Sequence, residues 1–257
     1  MQFNEAQIQA IQHNTGPCMV IAGPGSGKTT VLTHRVRYLI ERYGVNPSDI
    51  LVITFTKAAA EQMKLKFKGL SEGRNSAVTF GTFHAVFFTI LKAAYNYSAH
   101  CIIKPQIQHE FVKDQMCRLE LEYDDENEAV AGVLSEISCV KGEDVNIDEY
   151  ESRCIPPQSF RIMYRAYDDM LVRKHLIDFD DMIVQCRELL MQREDYRRAW
   201  QNKYKYILID EFQDINKAQF DVVRILADEY RNLFVVGDDD QSIYGLSLIH
   251  ISEPTRL

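Results

Sequence analysis

A chain of 257 residues, of which 46% are hydrophobic and 26% charged, is long enough to bury a core and predicts one or two globular domains. It contains no apolar run of the roughly 20 residues that a membrane-spanning helix needs, and its polar start gives no sign of a secretory signal peptide. We therefore expect a cytoplasmic protein with no membrane partner, and the formal net charge of −8 argues against nucleic-acid binding unless the acidic residues are clustered.

The acidic residues are in fact concentrated in one stretch of the chain. Residues 118–151 contain twelve acidic and two basic side chains, a local balance of −10, so the rest of the chain carries +2. Residues 57–74 contain five basic and two acidic side chains. Because phosphates dock where basic charge is concentrated, this distribution leaves nucleic acid open as a partner.

The six cysteines lack the two-residue spacing of a zinc ribbon or knuckle. Distant cysteines could converge on an iron–sulfur cluster, but the pattern favours scattered reduced thiols of a cytosolic protein. The cysteines therefore predict no metal site.

In chain order, apolar runs of the length of buried strands recur at five places: Cys18–Ala22, Ile50–Phe55, Ala77–Phe83, Tyr206–Asp210 and Leu233–Val236. Helical patterns separate several of them. After the first run, apolar residues recur at helical spacing as far as Gly44 and Pro47, which are helix-ending signals. Strands that alternate with helices predict an α/β domain with a parallel sheet flanked by helices.

The middle of the chain, residues 93–200, differs from both of its ends. It is mostly helical in pattern, rich in charge, and interrupted by Pro156 and Pro157. We interpret it as a helical insertion subdomain that divides the α/β domain into two halves, 1–92 and 201–245.

The strongest local motif is a glycine-rich loop between the first strand and the helix that follows. Glycines let the backbone curl so that successive N–H groups point at phosphate oxygens, and the helix adds the positive end of its dipole. Lys28 would reach the β- and γ-phosphates, and Thr29 would hold Mg²⁺. Ala22 occupies the position of the usual first glycine. The alternative to a phosphate-binding loop is a glycine-rich turn without a ligand. The predicted nucleotide-binding residues are Ala22, Gly23, Pro24, Gly25, Ser26, Gly27, Lys28, Thr29 and Thr30.

A pair of carboxylates, Asp210 and Glu211, ends the fourth apolar run, at the edge where parallel sheets bind ligands. Asp210 would hold Mg²⁺ directly or through water, and Glu211 would orient and deprotonate an attacking water. An acidic pair after a strand is often only a solvated loop. Together with the glycine-rich loop, however, it predicts a P-loop NTPase with ATP and Mg²⁺ as cofactors.

Five further segments narrow the family, and they occur in this order: NEAQ at 4–7, TFTKAA at 54–59, GTFH at 81–84, DEFQD at 210–214 and GDDDQSIY at 237–244. The ordered set resembles the superfamily-one DNA helicases of the UvrD, Rep and PcrA group, and the resemblance extends through Gly245. It implies a RecA-like P-loop NTPase domain and ATP-dependent 3′→5′ unwinding. The implied partner is single-stranded DNA, or a duplex with a single-stranded tail.

The resemblance also implies roles for two glutamines at the nucleotide. Gln241 resembles the residue that senses the γ-phosphate, and a loop glutamine without a role is its alternative. Gln7 resembles the residue that recognises the adenine edge, although Asn4 and Gln7 also have the spacing of a helix capping box. The segment 178–181, DFDD, matches a further signature of the family to which we assign no chemical role.

Five residues resemble DNA contacts of the family: Phe55, Thr56, Thr82, His84 and Tyr244. Phe55 and Tyr244 would stack on bases, and the other three would bond the DNA backbone, which is how single strands are bound without sequence readout. Core packing is the alternative for Phe55, and it is the preferred interpretation for Phe83.

The last residues, 246–257, do not continue the pattern of the family, which places an aromatic, an arginine, a glycine and an alanine after Tyr244. We interpret them as a foreign or artefactual tail, with a natural divergent terminus as the alternative. The second RecA-like domain of the family and its arginine fingers are not recognisable in these 257 residues. A non-catalytic ATP- and DNA-binding module is therefore the alternative function for this chain.

Overall fold

The computed structural model describes residues 3–71 and 77–238, which form two compact units. Unit 1 comprises Met1–Val86 and Leu189–Leu257, and unit 2 comprises Phe87–Glu188. The helices are α1 (Glu5–Gln12), α2 (Lys28–Tyr43), α3 (Lys57–Leu70), α4 (Phe83–Ala94), α5 (Pro105–Arg118), α6 (Glu126–Glu143), α7 (Pro157–Lys174), α8 (Phe179–Gln192), α9 (Glu194–Lys203) and α10 (Lys217–Ala227). Short 3₁₀ helices lie at Pro47–Asp49, Ala99–Cys101 and Phe212–Asp214.

Unit 1 is built on a five-stranded sheet in which every neighbouring pair of strands is parallel. The order across the sheet is β1-β5-β4-β2-β3. The strands are β1 (Cys18–Ile21), β2 (Ile50–Thr54), β3 (Thr79–Thr82), β4 (Tyr206–Ile209) and β5 (Leu233–Gly237). The predicted α/β class with a parallel sheet flanked by helices is confirmed. Each of the five apolar runs contains a strand, and β5 extends one residue further than its run.

The core of unit 1 follows from the apolar patterns of its strands and helices. Every residue of β2 is buried, as expected for a strand in the interior of a parallel sheet. In α2, Leu32, Val36 and Leu39 are fully buried on one face, which confirms the predicted amphipathic helix. That helix ends at Gly44, whose φ of +69° is a left-handed conformation that glycine adopts at little cost.

Strands β1 to β4 are slightly shorter than their apolar runs, and the difference places several residues in the loops or at helix starts. Ala22, Phe55 and Asp210 each directly follow the last residue of a strand, and Phe83 begins α4. Because all five strands are parallel, their carboxyl ends lie along one edge of the sheet. The residues that follow β1, β2, β3, β4 and β5 therefore share that edge.

Unit 2 is helical and contains α5, α6, α7 and most of α4 and α8. Its core is formed by Val112, Met116, Val130, Val133, Ile137, Phe160, Met163 and Tyr167, all of which are buried. An isolated parallel bridge joins Ile102 and Ile177. By compactness the unit spans residues 87–188, and the division of the chain at residues 93 and 200 stays a prediction.

The described residues contain neither a helix suited to crossing a membrane nor a cluster of metal-binding side chains. None of their helices combines the length and the apolar character that crossing a membrane requires. All six cysteines are free thiols, and residues 3–71 and 77–238 contain no group of three or more His, Cys, Asp or Glu side chains that could hold a metal ion.

The DFDD segment, for which the sequence suggested no role, forms a buried ion cluster in unit 2. The Lys141 ammonium, on α6, lies 2.9 Å from Asp178 Oδ2, 2.7 Å from Asp181 Oδ1 and 3.1 Å from Asp168 Oδ1. The Lys141 side chain is only 5% exposed. Asp178 also accepts a hydrogen bond from the Asp181 backbone N–H at 2.7 Å, so it caps the start of α8. The motif therefore joins α6, α7 and α8.

Burial and charge act against each other in this cluster. Burial disfavours the Lys141 ammonium, but the three carboxylates outweigh that effect and raise the pKa of Lys141. Burial, and then the charge of Asp178, raises the pKa of Asp180 to about 6. The carboxylates thus depend on Lys141, because an unpaired buried charge is much more costly than a paired one.

Replacing Lys141 with methionine should lower the free energy of unfolding by about 3–5 kcal/mol at neutral pH, because it leaves buried carboxylates without a counter-charge. The loss should shrink as the pH falls toward about 5. Burial, and then the charge of Asp178, raises the pKa of Asp180 and of Asp181 to about 6, so both bind protons more readily in the folded than in the unfolded chain and acid favours the folded state. Urea denaturation followed by circular dichroism measures both effects.

Asp168→Asn is the matched control for that experiment, since the Asp168 side chain is 41% exposed. It should cost less than about 1 kcal/mol, as exposed ion pairs do. Equal losses in the two variants, or a loss in Lys141→Met that does not change with pH, would contradict the assignment of Lys141 as the central charge of the cluster.

Candidate functional site

The glycine-rich loop, residues 22–27, connects the end of β1 to the start of α2. The Ala22 N–H donates to the Gly237 carbonyl at 3.0 Å, which ties the loop to the end of β5. Gly25 and Gly27 have φ angles of +73° and +85°, a region that side chains disfavour. The Gly27 carbonyl accepts the N–H groups of Thr30 and Val31 at 2.8 and 2.9 Å. The loop is thus a tight turn that leads directly into a helix N-terminus.

Lys28, the first residue of α2, faces carboxylates from the ends of β4 and β5. Its ammonium lies 3.5 Å from Glu211 Oε2 and 3.8 Å from Asp238 Oδ2. The Lys28 side chain is 10% exposed and that of Asp238 is 3% exposed. Both distances exceed those of close ion pairs, so an anion at the glycine-rich loop can compete for the ammonium.

Thr29 and Asp210, the two predicted metal ligands, are in direct contact. Thr29 Oγ1 donates a hydrogen bond to Asp210 Oδ2 at 3.3 Å. Asp210 is 4% exposed, and its burial, followed by the charge of Glu211, raises its pKa to about 6. A buried carboxylate beside a second one and a threonine hydroxyl is an oxygen donor set that suits Mg²⁺. These residues therefore fit the metal that the sequence predicted.

Gln213 is a residue of this site that the sequence analysis missed. Its amide NH₂ donates to Glu211 Oε2 at 3.0 Å, and its amide oxygen accepts the Asp238 N–H at 3.0 Å. The side chain therefore links the carboxylate of Glu211 to the end of β5. Gln213 is 6% exposed and Asp238 is 2% exposed. Gln213 lies in the DEFQD motif and Asp238 in the GDDDQSIY motif, but the residue type of each does not by itself reveal its role.

Gln7 makes the capping-box contacts that the sequence offered as one alternative, and it also contacts the glycine-rich loop. Its backbone N–H donates to Asn4 Oδ1 at 2.8 Å and its Oε1 accepts the Asn4 N–H at 3.0 Å, so the capping box is present. In addition, Gln7 Nε2 donates to the Ser26 carbonyl in the glycine-rich loop at 3.0 Å. The residue therefore lies beside the loop, and recognition of adenine stays a prediction.

Four of the five predicted DNA contacts lie at the ends of β2 and β3: Phe55 and Thr56 directly follow β2, Thr82 is the last residue of β3, and His84 lies in the first turn of α4. Phe55 is partly exposed and packs edge-to-face on Phe83, with ring centroids 5.3 Å apart. Phe83 is 1% exposed, so it is a core residue as the preferred interpretation stated. His84 is partly buried, and burial lowers its pKa, which favours the neutral imidazole at neutral pH.

Two threonines in this region have a local structural contact in addition to any contact with DNA. Thr56 is the N-cap of α3, and its Oγ1 accepts the Ala59 N–H at 3.1 Å. Thr82 Oγ1 accepts the Ala85 N–H at 3.3 Å at the start of α4. Both hydroxyls still have a proton to donate, because each uses only an acceptor site in these bonds.

Two predicted site residues, Gln241 and Tyr244, lie outside the described residues, as does the segment 246–257. The described part of the site brings together Lys28, Thr29, Asp210 and Glu211 at the ends of β1 and β4. Chemically, this set offers N–H donors and an ammonium for phosphate oxygens, oxygen ligands for a divalent cation, and a carboxylate that can accept a proton from water.

Comparison with known proteins gives a consistent set of relatives. The family model described as the UvrD/REP helicase N-terminal domain matches residues 3–252. The match extends into the segment 246–257, whose interpretation as a foreign tail stays a prediction. The chain is 34% identical over 255 residues to the ATP-dependent DNA helicase PcrA of Staphylococcus epidermidis, and 34% identical over 252 residues to that of Staphylococcus aureus. Each alignment covers 95% of this chain but only 34% of the relative.

Gly237 allows the close approach of Gln213 to the end of β5, and its replacement by alanine tests that contact. A Cβ at residue 237 would lie 3.0 Å from Gln213 Oε1 and 3.4 Å from the Gln213 backbone nitrogen. We expect Gly237→Ala to displace the Gln213 side chain and to cost about 1–3 kcal/mol of unfolding free energy. Thermal denaturation measures the loss.

Gly69→Ala is the control, because nothing lies within 4 Å of a Cβ built at this helical glycine. It should leave the stability unchanged or raise it by up to about 1 kcal/mol, since alanine favours helix. A Gly237→Ala protein as stable as the parent would mean that Gln213 does not need its observed position.

Proposed function

The chain belongs to the UvrD/REP helicase family, and from that premise we propose that it is the ATP-binding motor domain of a 3′→5′ DNA helicase. The observation that carries the proposal is the convergence of Lys28, Thr29, Asp210 and Glu211 at the carboxyl edge of the parallel sheet. The chain spans about a third of the length of the curated relatives, so translocation and unwinding are proposed for the protein of which this domain forms part.

In the proposed mechanism, the glycine-rich loop and Lys28 bind the phosphates of ATP. Lys28 moves its ammonium from Glu211 and Asp238 onto the β- and γ-phosphate oxygens. Mg²⁺ held by Thr29 and Asp210 would neutralise charge on the same oxygens. The release of Glu211 from Lys28 leaves its carboxylate able to orient a water and accept its proton. Gln213 holds Glu211 in place during that step through the 3.0 Å hydrogen bond.

DNA binding is proposed for the loops that follow β2 and β3, with Phe55 as the stacking side chain. Aromatic stacking and backbone hydrogen bonds suit a single strand that is bound without regard to sequence. Lys57 begins α3 two residues after Phe55, and Lys64, Lys66 and Lys68 follow along the same helix; all four are exposed and add positive charge to this segment. Single-stranded DNA, alone or as the tail of a duplex, is the partner that fits these groups.

The two proposed sites are joined through the sheet. The Asp210 N–H donates to the Ile53 carbonyl in β2 at 3.0 Å, two residues before Phe55. A change at the Mg²⁺ ligand therefore has a short covalent and hydrogen-bonded route to the DNA loop. This contact supports the proposal that ATP binding and DNA binding are coupled.

The alternative, a non-catalytic module that binds ATP and DNA, applies to these 257 residues by themselves. Lys28 is the one cation that residues 3–71 and 77–238 bring within ion-pair distance of Glu211. Transition-state charge on the γ-phosphate needs a further cation, and an arginine in that role is worth on the order of 10³–10⁵ in rate. We therefore propose that the chain alone binds MgATP but hydrolyses it barely or not at all.

Replacing Lys28 with alanine and Glu211 with glutamine separates the two roles at the nucleotide. Lys28→Ala should weaken MgATP binding roughly 10- to 100-fold, because it removes a charged donor to the phosphates. Glu211→Gln should leave affinity nearly unchanged and lower hydrolysis by about 10²–10⁴, since the carboxylate acts only on the water. Affinity is measured by titration of the 257-residue chain, and hydrolysis in a version extended to the length of the relatives.

Equal losses of affinity in the two variants would contradict these roles. The unextended chain serves as the control for hydrolysis: DNA-stimulated turnover at the rate of the extended protein would contradict the proposal that it is a binding module by itself.

Phe55→Ala should weaken single-stranded DNA binding by about 1–3 kcal/mol if a base stacks on this ring. Phe55→Leu is the matched control, because leucine retains much of the packing against Phe83 but cannot stack. Fluorescence anisotropy with an oligothymidine gives the affinities, and thermal denaturation gives the stability. Full DNA affinity in Phe55→Leu, or loss of stability alone in Phe55→Ala, would favour the core-packing alternative.

A further inference from the structure

Arg35, on the buried face of α2, is a charge in the core of unit 1 that the proposed mechanism does not use. It lies seven residues after Lys28, about two helical turns, and is 2% exposed. Its Nη1 donates to the Ala10 carbonyl at 3.2 Å and also to the His13 carbonyl. The guanidinium lies over the ring of Phe234 in β5, 4.3 Å from the ring centroid.

The guanidinium has little electrostatic compensation for its burial. Among the described residues no carboxylate forms an ion pair with Arg35, and its Nε has no hydrogen-bond partner there. Burial lowers the pKa of Arg35 to about 10, so the group is still charged at neutral pH. An apolar side chain of similar length would fill the space without that desolvation cost, which indicates that the donors of Arg35 have a specific use.

The donors of Arg35 bind the C-terminal end of α1. The carbonyls at the C-terminus of a helix lack partners within the helix and carry the negative end of its dipole. Arg35 supplies both a charge and donors to the carbonyls of Ala10 and His13. The Tyr43 hydroxyl, also from α2, donates to the Gln12 carbonyl at 2.7 Å. Two side chains of α2 therefore bind the last turn of α1.

The position of α1 depends on such polar contacts because the helix has little apolar anchorage. It contains eight residues, of which only Ala10 and Ile11 are buried. The contact of α1 with the nucleotide site is a hydrogen bond in which Gln7 Nε2 donates to the Ser26 carbonyl of the glycine-rich loop. The end held by Arg35 and the residue beside the loop are about one turn apart.

We propose that Arg35 is a positioning residue for the nucleotide base: by holding the last turn of α1 it fixes Gln7 against the glycine-rich loop. The proposal rests on the proposed function, because it assigns Gln7 to the adenine edge. A glutamine amide can pair with the amino group and the ring nitrogen of adenine only if its orientation is set, and guanine presents a different pattern. Arg35 thereby contributes to the preference for ATP over GTP without touching either.

The test compares MgATP and MgGTP affinities of the full 257-residue chain with those of Gln7→Ala, Arg35→Met and the double variant. Gln7→Ala should lower the ratio of ATP to GTP affinity by roughly tenfold, the worth of a hydrogen bond to the base. Arg35→Met should lower that ratio by a similar factor, and the double variant should lower it no further. Arg35→Lys, which keeps the charge and a single donor nitrogen, should recover part of the preference.

A matched control is Arg42→Met, which removes an exposed arginine from the same helix and should leave the ratio unchanged. If Arg35→Met does not fold, Tyr43→Phe removes the other donor to α1 at an exposed site and should give a smaller loss of preference. An unchanged ratio in Arg35→Met, or in Tyr43→Phe where only that variant folds, overturns the proposal. So does a further loss on adding Arg35→Met to Gln7→Ala.

A second measurement separates this proposal from the proposed function. Amide hydrogen exchange across α1 does not require nucleotide, and Arg35→Met should speed exchange of residues 5–12 relative to Arg42→Met. Protection that stays at the parental level overturns the positioning role even if the chain binds ATP. Faster exchange in a chain that binds neither nucleotide upholds the hold of Arg35 on α1 and overturns the proposed function, together with its assignment of Gln7 to adenine.

Discussion

The parallel pairing of β1 with β5, and of β4 with β5 and β2, brings the loops that follow these strands to one edge of the sheet. Hydrogen bonds extend this order beyond the strands themselves. The Ala22 N–H binds the Gly237 carbonyl, and the Asp210 N–H binds the Ile53 carbonyl. The glycine-rich loop, the acidic pair and the Phe55 loop are therefore held relative to one another by backbone contacts. The side chains of these loops can therefore change partners while the backbone contacts between the loops stay in place.

Two lysines paired with carboxylates show how the same chemistry serves two purposes in this chain. Lys141 lies within 2.7–3.1 Å of three carboxylates, which satisfies its ammonium and closes the cluster. Lys28 lies 3.5 and 3.8 Å from its two carboxylates and borders an exposed loop. The first arrangement holds helices together. The looser pairing of Lys28 leaves its ammonium able to bind an anion. Once the anion is bound, Glu211 is free to act on water.

Several residues near the proposed site combine a structural contact with a proposed functional one. Gln7 caps α1 with its Oε1 and contacts the glycine-rich loop with its Nε2. Thr56 and Thr82 accept backbone N–H groups at helix starts and keep a hydroxyl proton to donate. For such residues a structural role and a functional role are not exclusive, since the two use different atoms of one side chain. Substitutions there need a measurement of folding beside one of binding.

The amino-acid sequence by itself determined the α/β class, the five strands and the family, because these depend on local patterns. Each of these signals is contained in a short stretch of sequence: the apolar runs of strand length, the helix-ending glycine at Gly44, and each of the motifs from NEAQ to GDDDQSIY. Arg35, Gln213 and the partners of Lys141 were decided only by the tertiary structure. Their contacts join Arg35 to Ala10, Gln213 to Asp238, and Lys141 to Asp178, across 25, 25 and 37 residues of sequence. A buried charge or amide has no local sequence pattern, because its contribution to stability depends on which backbone groups and counter-charges the fold brings to it.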